Sequence, residues 1–288
     1  RSSAGKRRLS SASWPPSGER RRRTASRRRS TRSGTSFIRR RVTANRFFLS
    51  EPPGARSLIR VEGEEHHHLS RVARVRKGDA VELFDGRGGV YQAVVASSGR
   101  GGTVVRILSR QGAFIPRSSL TLAMSLLKPP VLESVIRGAV ELAVSVLVFI
   151  AAERSVVKSS ALSEARLGRW SRIAREAAKQ CKTGAVPEIR PPRTLADFLR
   201  EDVSEVKIFL SERGGEPLGD IVTGGRGGEA GTPASASMLV GPEGGWSARE
   251  ERLMREAGHR PASLGRSLLR AETAALCGLS LLSHYWVM

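Results

Sequence analysis

Between Leu120 and Trp286 the chain switches repeatedly between two periodicities, and that switching restricts its fold more than any other feature. Four short apolar runs read as buried strands: residues 120–127 (LTLAMSLL), 144–152 (VSVLVFIAA), 205–212 (EVKIFLSE) and 236–241 (ASMLVG). Helix-like stretches separate or follow them: 130–142, starting just after a proline pair, then 163–182, 247–258 and 270–286. Strands that alternate with helices specify an α/β fold with a mostly parallel sheet. The Gly-rich segment 213–235 reads as a mobile surface loop. Upstream the texture differs. Residues 57–110 alternate β-branched runs with glycine turns, the pattern of a small β-barrel or curled sheet. A strand is expected to open near Asn45, and residues 64–75 (EEHHHLSRVARV) read as one inserted helix.

The formal net charge is +22 over 288 residues, which points to a polyanionic partner such as nucleic acid. Fourteen arginines and Lys6 face only Glu19 in the first 45 residues, so +14 sits there and +8 is left for the other 243. Residues 1–44 lack the apolar side chains that offset chain entropy and read as a disordered basic tail. Three roles stay open for it: non-specific RNA contact, an organellar transit peptide, or non-native upstream sequence. The two cysteines, Cys181 and Cys277, have neither disulfide-framework nor zinc spacing, and a reducing compartment fits them. Both are expected as buried small apolar groups. The longest apolar stretch, 139–152, is too short to span a bilayer and contains Glu141.

The segment LVGPEGGWSARE (239–250) carries the strongest local signal. Ser247 and Glu250 have the spacing of a helix-capping box. A strand-to-helix connection needs one glycine, whereas Gly241, Gly244 and Gly245 surround Pro242 and Glu243. Bare backbone at the C-terminal end of a strand suits close approach of a ligand. The segment lacks the Gly-Lys-Ser/Thr of a Walker loop and is not G-x-G-x-x-G. A second segment, LGRSLLRAETAAL (264–276), places Leu264-Gly265 in a loop and Arg270 just before a helix that opens on Glu272.

These two segments resemble the signature of the bacterial ribosomal RNA small-subunit methyltransferase E family, which methylates N3 of a uridine in 16S rRNA and belongs to the SPOUT methyltransferases. Residues 46–49 (RFFL), 67–79 (HHLSRVARVRKGD), 139–156 and 177–189 are similar to that family's other motifs, in order, so the likeness covers residues 45–286. It implies a PUA-like RNA-binding β-barrel domain over 45–112 and a methyltransferase domain with a C-terminal trefoil knot over 117–288. It implies S-adenosylmethionine as cofactor, a homodimer, the small ribosomal subunit as partner, and a cytoplasmic location unless residues 1–44 are a transit peptide. Carried over by position, the cofactor site is Leu210, Ser211, Glu212, then Leu239, Val240, Gly241, Pro242, Glu243, Gly244, Gly245, then Leu264, Gly265, Leu268, Leu269 and Arg270. The chain departs from the family at residues 129–138 (PPVLESVIRG), at Ala143, where glycine is usual, and at Ala73.

Arg270 is the expected stabiliser of a developing uracil anion, with Arg154 next in line. Glu243 and Glu272 are the candidate bases. Arg71 and Arg74, three apart on the expected helix, suit phosphate contact. His67 or His68 is expected to pack inside the barrel, with RNA contact second. No metal is expected, because adjacent histidines on a helix point about 100° apart. Two further readings stay open: a non-catalytic RNA-binding or ribosome-assembly protein, and a SPOUT enzyme acting on another RNA.

Overall fold

The computed structural model describes residues 46–112, 116–157, 163–224 and 231–288. The expected tail over 1–44 lies outside the described residues.

Residues 46–111 form a five-stranded sheet. Its strands are β1 (Arg46–Phe48), β2 (Leu58–Val61), β3 (Ala80–Phe84), β4 (Val90–Gly99) and β5 (Gly102–Gln111), in the order β1-β3-β4-β5-β2. Period-two alternation turns Val81, Leu83, Tyr91, Ala93, Val95 and Val105 into one small core with Phe47 and Leu69. β1 and β2 are the sheet's edges and do not pair with one another.

The helix expected over 64–75 is shorter and composite. Helix α1 (Gly63–His67) runs into a π-helical turn, His68–Val72, in which the Ala73 N–H bonds the His68 carbonyl at 2.8 Å. The wider turn accompanies the complete burial of Leu69 in the core of this sheet. Arg74 lies beyond the helix with φ +52°, so Arg71 and Arg74 are not an i, i+3 pair on its face.

Seven parallel strands make the second sheet: β6 (Ser119–Ser125), β7 (Val146–Ala151), β8 (Glu188–Thr194), β9 (Val206–Leu210), β10 (Glu216–Pro217), β11 (Ser235–Val240) and β12 (Arg260–Ser263). Their order is β10-β12-β9-β11-β6-β7-β8. Helices cover both faces, as an all-parallel sheet requires. On one side Leu122, Met124, Phe149, Ile208 and Met238 meet α2 (Pro129–Glu141), α3 (Glu164–Cys181), α5 (Leu218–Thr223) and α7 (Ala271–Leu282). On the other, Ala123, Val148, Ile150, Phe209 and Leu239 meet α4 (Leu195–Glu201) and α6 (Ala248–Glu256).

Several elements differ from the sequence expectation. The proline pair lies inside α2 rather than before it, because the first helical turn has no intrahelical partner for the missing N–H groups. The segment read as a loop over 213–235 contains β10 and α5. Leu218, Ile221 and Val222 are buried there at helical spacing, and residues 225–230 lie outside the described residues. β8, α4 and β12 were not expected at all. α7 ends at Leu282 and continues as a π-helical turn, Ser283–Val287.

The two sheets are docked by named contacts. The Val186 N–H bonds the Gly86 carbonyl at 2.9 Å, and the Gly88 N–H bonds the Gly184 carbonyl at 3.0 Å. Asp85 shapes that turn by accepting from the N–H groups of Arg87 and Gly89 and from the Tyr91 hydroxyl. Lys179 on α3 pairs with Glu65 at 2.6 Å, and Arg46 Nη1 donates to the Ala178 carbonyl at 3.2 Å.

Beneath the α4–α6 layer lies a buried polar knot of side chains. Asp202 accepts from Ser204 and Ser237, and His259 Nε2 sits 3.0 Å from its Oδ2. Burial opposes ionisation of Asp202, but the bonds from His259, Ser204 and Ser237 outweigh it and hold the carboxyl far below its usual range.

Two predictions follow from these packings. α2 ends in a Schellman closure: the Ala143 N–H bonds Val140, the Val144 N–H bonds Ala139, and Ala143 takes φ +57°. A left-handed non-glycine residue costs about 1–2 kcal/mol, so Ala143→Gly is expected to raise the melting temperature without changing cofactor affinity. Asp202→Ala removes one partner of a buried pair and is expected to cost about 3–5 kcal/mol in denaturant unfolding. Because the folded-state pKa of Asp202 lies below the unfolded value of 3.8, its contribution is complete above that pH and is lost as pH falls below it. The variant is expected to lack that part of the wild-type acid dependence.

Candidate active site

The C-terminal ends of β9, β11 and β12 are adjacent, and the loops that leave them enclose a cavity of about 840 Å³. This is the edge of a parallel sheet where ligands gather, and the volume suits a cofactor-sized molecule.

The middle loop is built first by its helix cap. Ser247 Oγ accepts from the Glu250 N–H and Glu250 Oε2 accepts from the Ser247 N–H, so the expected capping box forms and starts α6. The other Glu250 oxygen accepts from the Glu153 N–H at 2.8 Å, tying the end of β7 to this loop. Arg154 then donates from Nη1 to the Gly244 carbonyl at 2.9 Å and lies 3.5 Å from that of Trp246. Gly245 closes a turn onto the Pro242 carbonyl at 2.9 Å with φ +64°.

Most of the residues expected to bind cofactor line this cavity. Leu210, Ser211 and Glu212 do so from the β9 end. Val240, Gly241, Pro242, Glu243 and Gly245 do so from the β11 end. Leu264, Gly265, Leu268, Leu269 and Arg270 do so from the segment after β12. Gly265 has φ +118° and its N–H bonds the Ser263 hydroxyl at 3.2 Å. Two residues fall elsewhere. Leu239 points to the α4–α6 face, because strand alternation sends Val240 and Leu239 to opposite sides. Gly244 faces Arg154, whose Cβ would lie 3.3 Å from an added side chain, so of these two adjacent glycines only Gly245 lines the cavity.

Arg154, Arg270, Glu243 and Glu272 all line the cavity. Arg270 and Glu243 are exposed, and Glu272 is half-buried in the first turn of α7. Glu251, on α6 and buried, also lines it and was missed by sequence reasoning; its neighbour Glu250 had absorbed the capping signal. One wall is apolar, from Leu210, Val240, Ala262, Leu264, Ala271 and Ala274, and suits a purine ring. With bare backbone at Gly245 and Gly265, these residues fit S-adenosylmethionine.

The residues of the N-terminal sheet domain separate. His68 is half-buried against Phe47, with ring centroids 5.4 Å apart, whereas His67 is exposed rather than packed inside. His66 Nδ1 lies 3.0 Å from Thr103 Oγ1. Arg71 and Arg74 are both exposed. Cys181 is half-buried and Cys277 exposed, the latter because it falls on the outer face of α7. Among the described residues no group of three or more His, Cys, Asp or Glu side chains could hold a metal, and no helix is long and apolar enough to cross a membrane.

A parallel sheet with a cofactor-sized cavity at its carboxyl edge is the frame of a nucleotide-cofactor enzyme, and comparison with known proteins makes the class an RNA methyltransferase. The RNA methyltransferase domain family matches residues 115–283, and the RNA methyltransferase PUA domain family matches residues 61–108. The ribosomal RNA small subunit methyltransferase E of Synechocystis sp. is 30% identical over 254 residues, covering 86% of this chain and 79% of that protein. The protein of the same name from Aquifex aeolicus is 30% identical over 83% of this chain and 99% of its own length. Among solved structures, the Neisseria gonorrhoeae ribosomal RNA small subunit methyltransferase E bound to S-adenosylmethionine superposes with a TM-score of 0.75 at 28% identity. It covers 85% of this chain and 98% of that one. The chain belongs to the ribosomal RNA small subunit methyltransferase E family, and it is an enzyme that uses S-adenosylmethionine.

Gly245→Val sets a branched side chain where an added Cβ would already lie 3.0 Å from Glu212 Oε2. Its left-handed backbone costs about 1–2 kcal/mol, too little to unfold a domain of this size. Calorimetry is expected to show cofactor affinity reduced at least about tenfold, the equivalent of 1.4 kcal/mol. Gly244→Val is expected to act more weakly, through Arg154.

Proposed function

We propose that this protein transfers a methyl group from S-adenosylmethionine to N3 of a uridine in the 16S rRNA of the small ribosomal subunit. The observation that carries the reading is the cavity at the ends of β9, β11 and β12 with Arg270 at its mouth. The names of the relatives support the small-subunit RNA as substrate, and the choice of uridine N3 rests on the family resemblance.

The bound cofactor supplies a methyl group on a cationic sulfur. The chain's own residues do the rest. The loops over 210–214, 240–246 and 263–270 hold it, and the apolar wall from Leu210 to Ala274 packs against its adenine ring. Arg154 acts by holding the 240–246 loop. N3 lies on the Watson–Crick edge, so the target uracil is unpaired or turned out of a helix when it reaches the mouth. Loss of the N3 proton leaves negative charge on N3 and the ring oxygens; as N3 takes the methyl group the sulfur–carbon bond would break, so that the ring ends neutral and S-adenosylhomocysteine leaves. Arg270 is assigned to meet that charge, and Glu243 or Glu272 to take the proton.

In this reading residues 45–112 are a PUA-like RNA-binding domain, with His67, Arg71 and Arg74 turned to RNA from one exposed stretch. Residues 117–288 are a SPOUT methyltransferase domain with a C-terminal trefoil knot. The crossing of β12 to the far side of β9 from β11, followed by the return of α7 onto α2, supports a chain that threads itself. The working enzyme is a metal-free homodimer in the cytoplasm.

Mass spectrometry of small-subunit rRNA nucleosides, with and without the protein, tests the product directly: absence of added N3-methyluridine overturns the reading. Arg270→Ala is expected to slow single-turnover methylation about 100- to 1000-fold at saturating cofactor and RNA, the usual effect of losing one preorganised donor. Arg270→Lys keeps the charge but not the planar fork and is expected to recover part of the rate.

A further inference from the structure

Two adjacent glutamates at the start of α6 have different fates. Glu250 uses both carboxylate oxygens, one on Ser247 and one on Glu153, and is structural. Glu251 is buried, at 8% exposure, yet lines the cavity. Its Oε1 accepts from the Ser211 hydroxyl at 3.1 Å, and Arg255 stands 4.0 Å from its Oε2. Ser211 is fixed in turn, accepting from the Arg213 N–H at 3.2 Å while its own N–H bonds the Ala262 carbonyl at 3.0 Å. A carboxylate has room for about four hydrogen bonds. Burying one beside an apolar wall costs free energy unless a donor arrives.

We infer that Glu251, oriented by Ser211, is the acceptor for the ribose hydroxyls of the bound cofactor. The inference rests on the assignment of this cavity to S-adenosylmethionine. The cofactor offers three kinds of hydrogen donor: the adenine amine, the ribose diol and the α-ammonium of its methionine part. The apolar wall takes the ring. The sugar is joined directly to that ring, so it lies at the same depth, where Glu251 is the buried carboxylate. The amino-acid part reaches further, towards the mouth, where Glu212 and Glu243 are exposed. A carboxylate at the carboxyl edge of a parallel sheet is a proven partner for ribose hydroxyls. The role is therefore one of binding and selection: Glu251 favours ribonucleosides over their deoxy analogues, without taking part in methyl transfer.

The test is calorimetric and uses the full chain. Wild type and Glu251→Gln are titrated with S-adenosylhomocysteine, with 5′-methylthioadenosine, which has the sugar but no amino acid, and with the 2′-deoxy form of the latter. Glu251→Gln keeps the shape and can still accept from Ser211. It is expected to bind the first two ligands about tenfold more weakly, as for loss of a hydrogen bond to a charged group. The wild-type preference for 5′-methylthioadenosine over its deoxy form is expected to vanish in the variant. Ser211→Ala, which frees Glu251 to rotate, is expected to give a smaller loss in the same ligands and serves if Glu251→Gln melts early. Unchanged affinities, or a loss confined to S-adenosylhomocysteine, overturn the inference; the second result transfers Glu251 to the α-ammonium. A wild-type protein that binds none of the three overturns the cofactor assignment of the cavity as well.

Discussion

The carboxylate of Glu250 is the point on which the active-site region hangs. With one oxygen it caps α6, and with the other it holds the backbone just after β7. Removing it would leave three things loose together: the first turn of a helix, the end of a central strand, and the glycine loop between them. Arg154 follows from the same bond. It is the next residue after Glu153, and the position of its neighbour brings its guanidinium to the Gly244 carbonyl. The cavity therefore has one fixed wall built from bonds that need no ligand to form, which is the preorganisation that binding sites require.

From that wall outward, burial by alternation decides what each side chain can do. Val240 and Leu239 are adjacent in sequence but belong to different cores, and only the first can meet a ligand. The same rule sends Ile208 and Phe209 to opposite faces. The segment after β12 makes the mouth, and it combines exposed arginines with Leu268, which is 76% exposed. A mouth of that composition offers positive charge and apolar surface side by side.

Much of this was legible in the residues themselves. The β6, β7, β9 and β11 runs are strongly apolar, and the Ser247–Glu250 spacing announced its cap. What stayed hidden had a physical reason in each case. β8 (EIRPPRT) is an edge strand with two prolines and little burial, so it has no strand signature. β12 (RPAS) has four residues and one fully buried side chain, Ala262. α5 carried a real signal, Leu218 with Ile221 and Val222, but glycines on both sides masked it. The fate of Leu239 depended on a strand register, that of Gly244 on where Arg154 came to rest, and that of Glu251 on which neighbour took the capping role. The pairing of Asp202 with His259, 57 residues away, cannot be read from either residue's surroundings in the chain.

The order of strands has a consequence for how the chain reaches this state. β11 lies between β9 and β6, yet it is made after both. Until residues 235–240 arrive, β6 and β9 each present an open, apolar edge, without the prolines that guard β8 and β10. Pairings so distant in sequence form slowly, and exposed edges of this kind are where chains stick to one another. The strand that carries the glycine loop is thus also the keystone of assembly. During synthesis the ribosome delivers it after both neighbours, so until it inserts those two edges stay open to other chains.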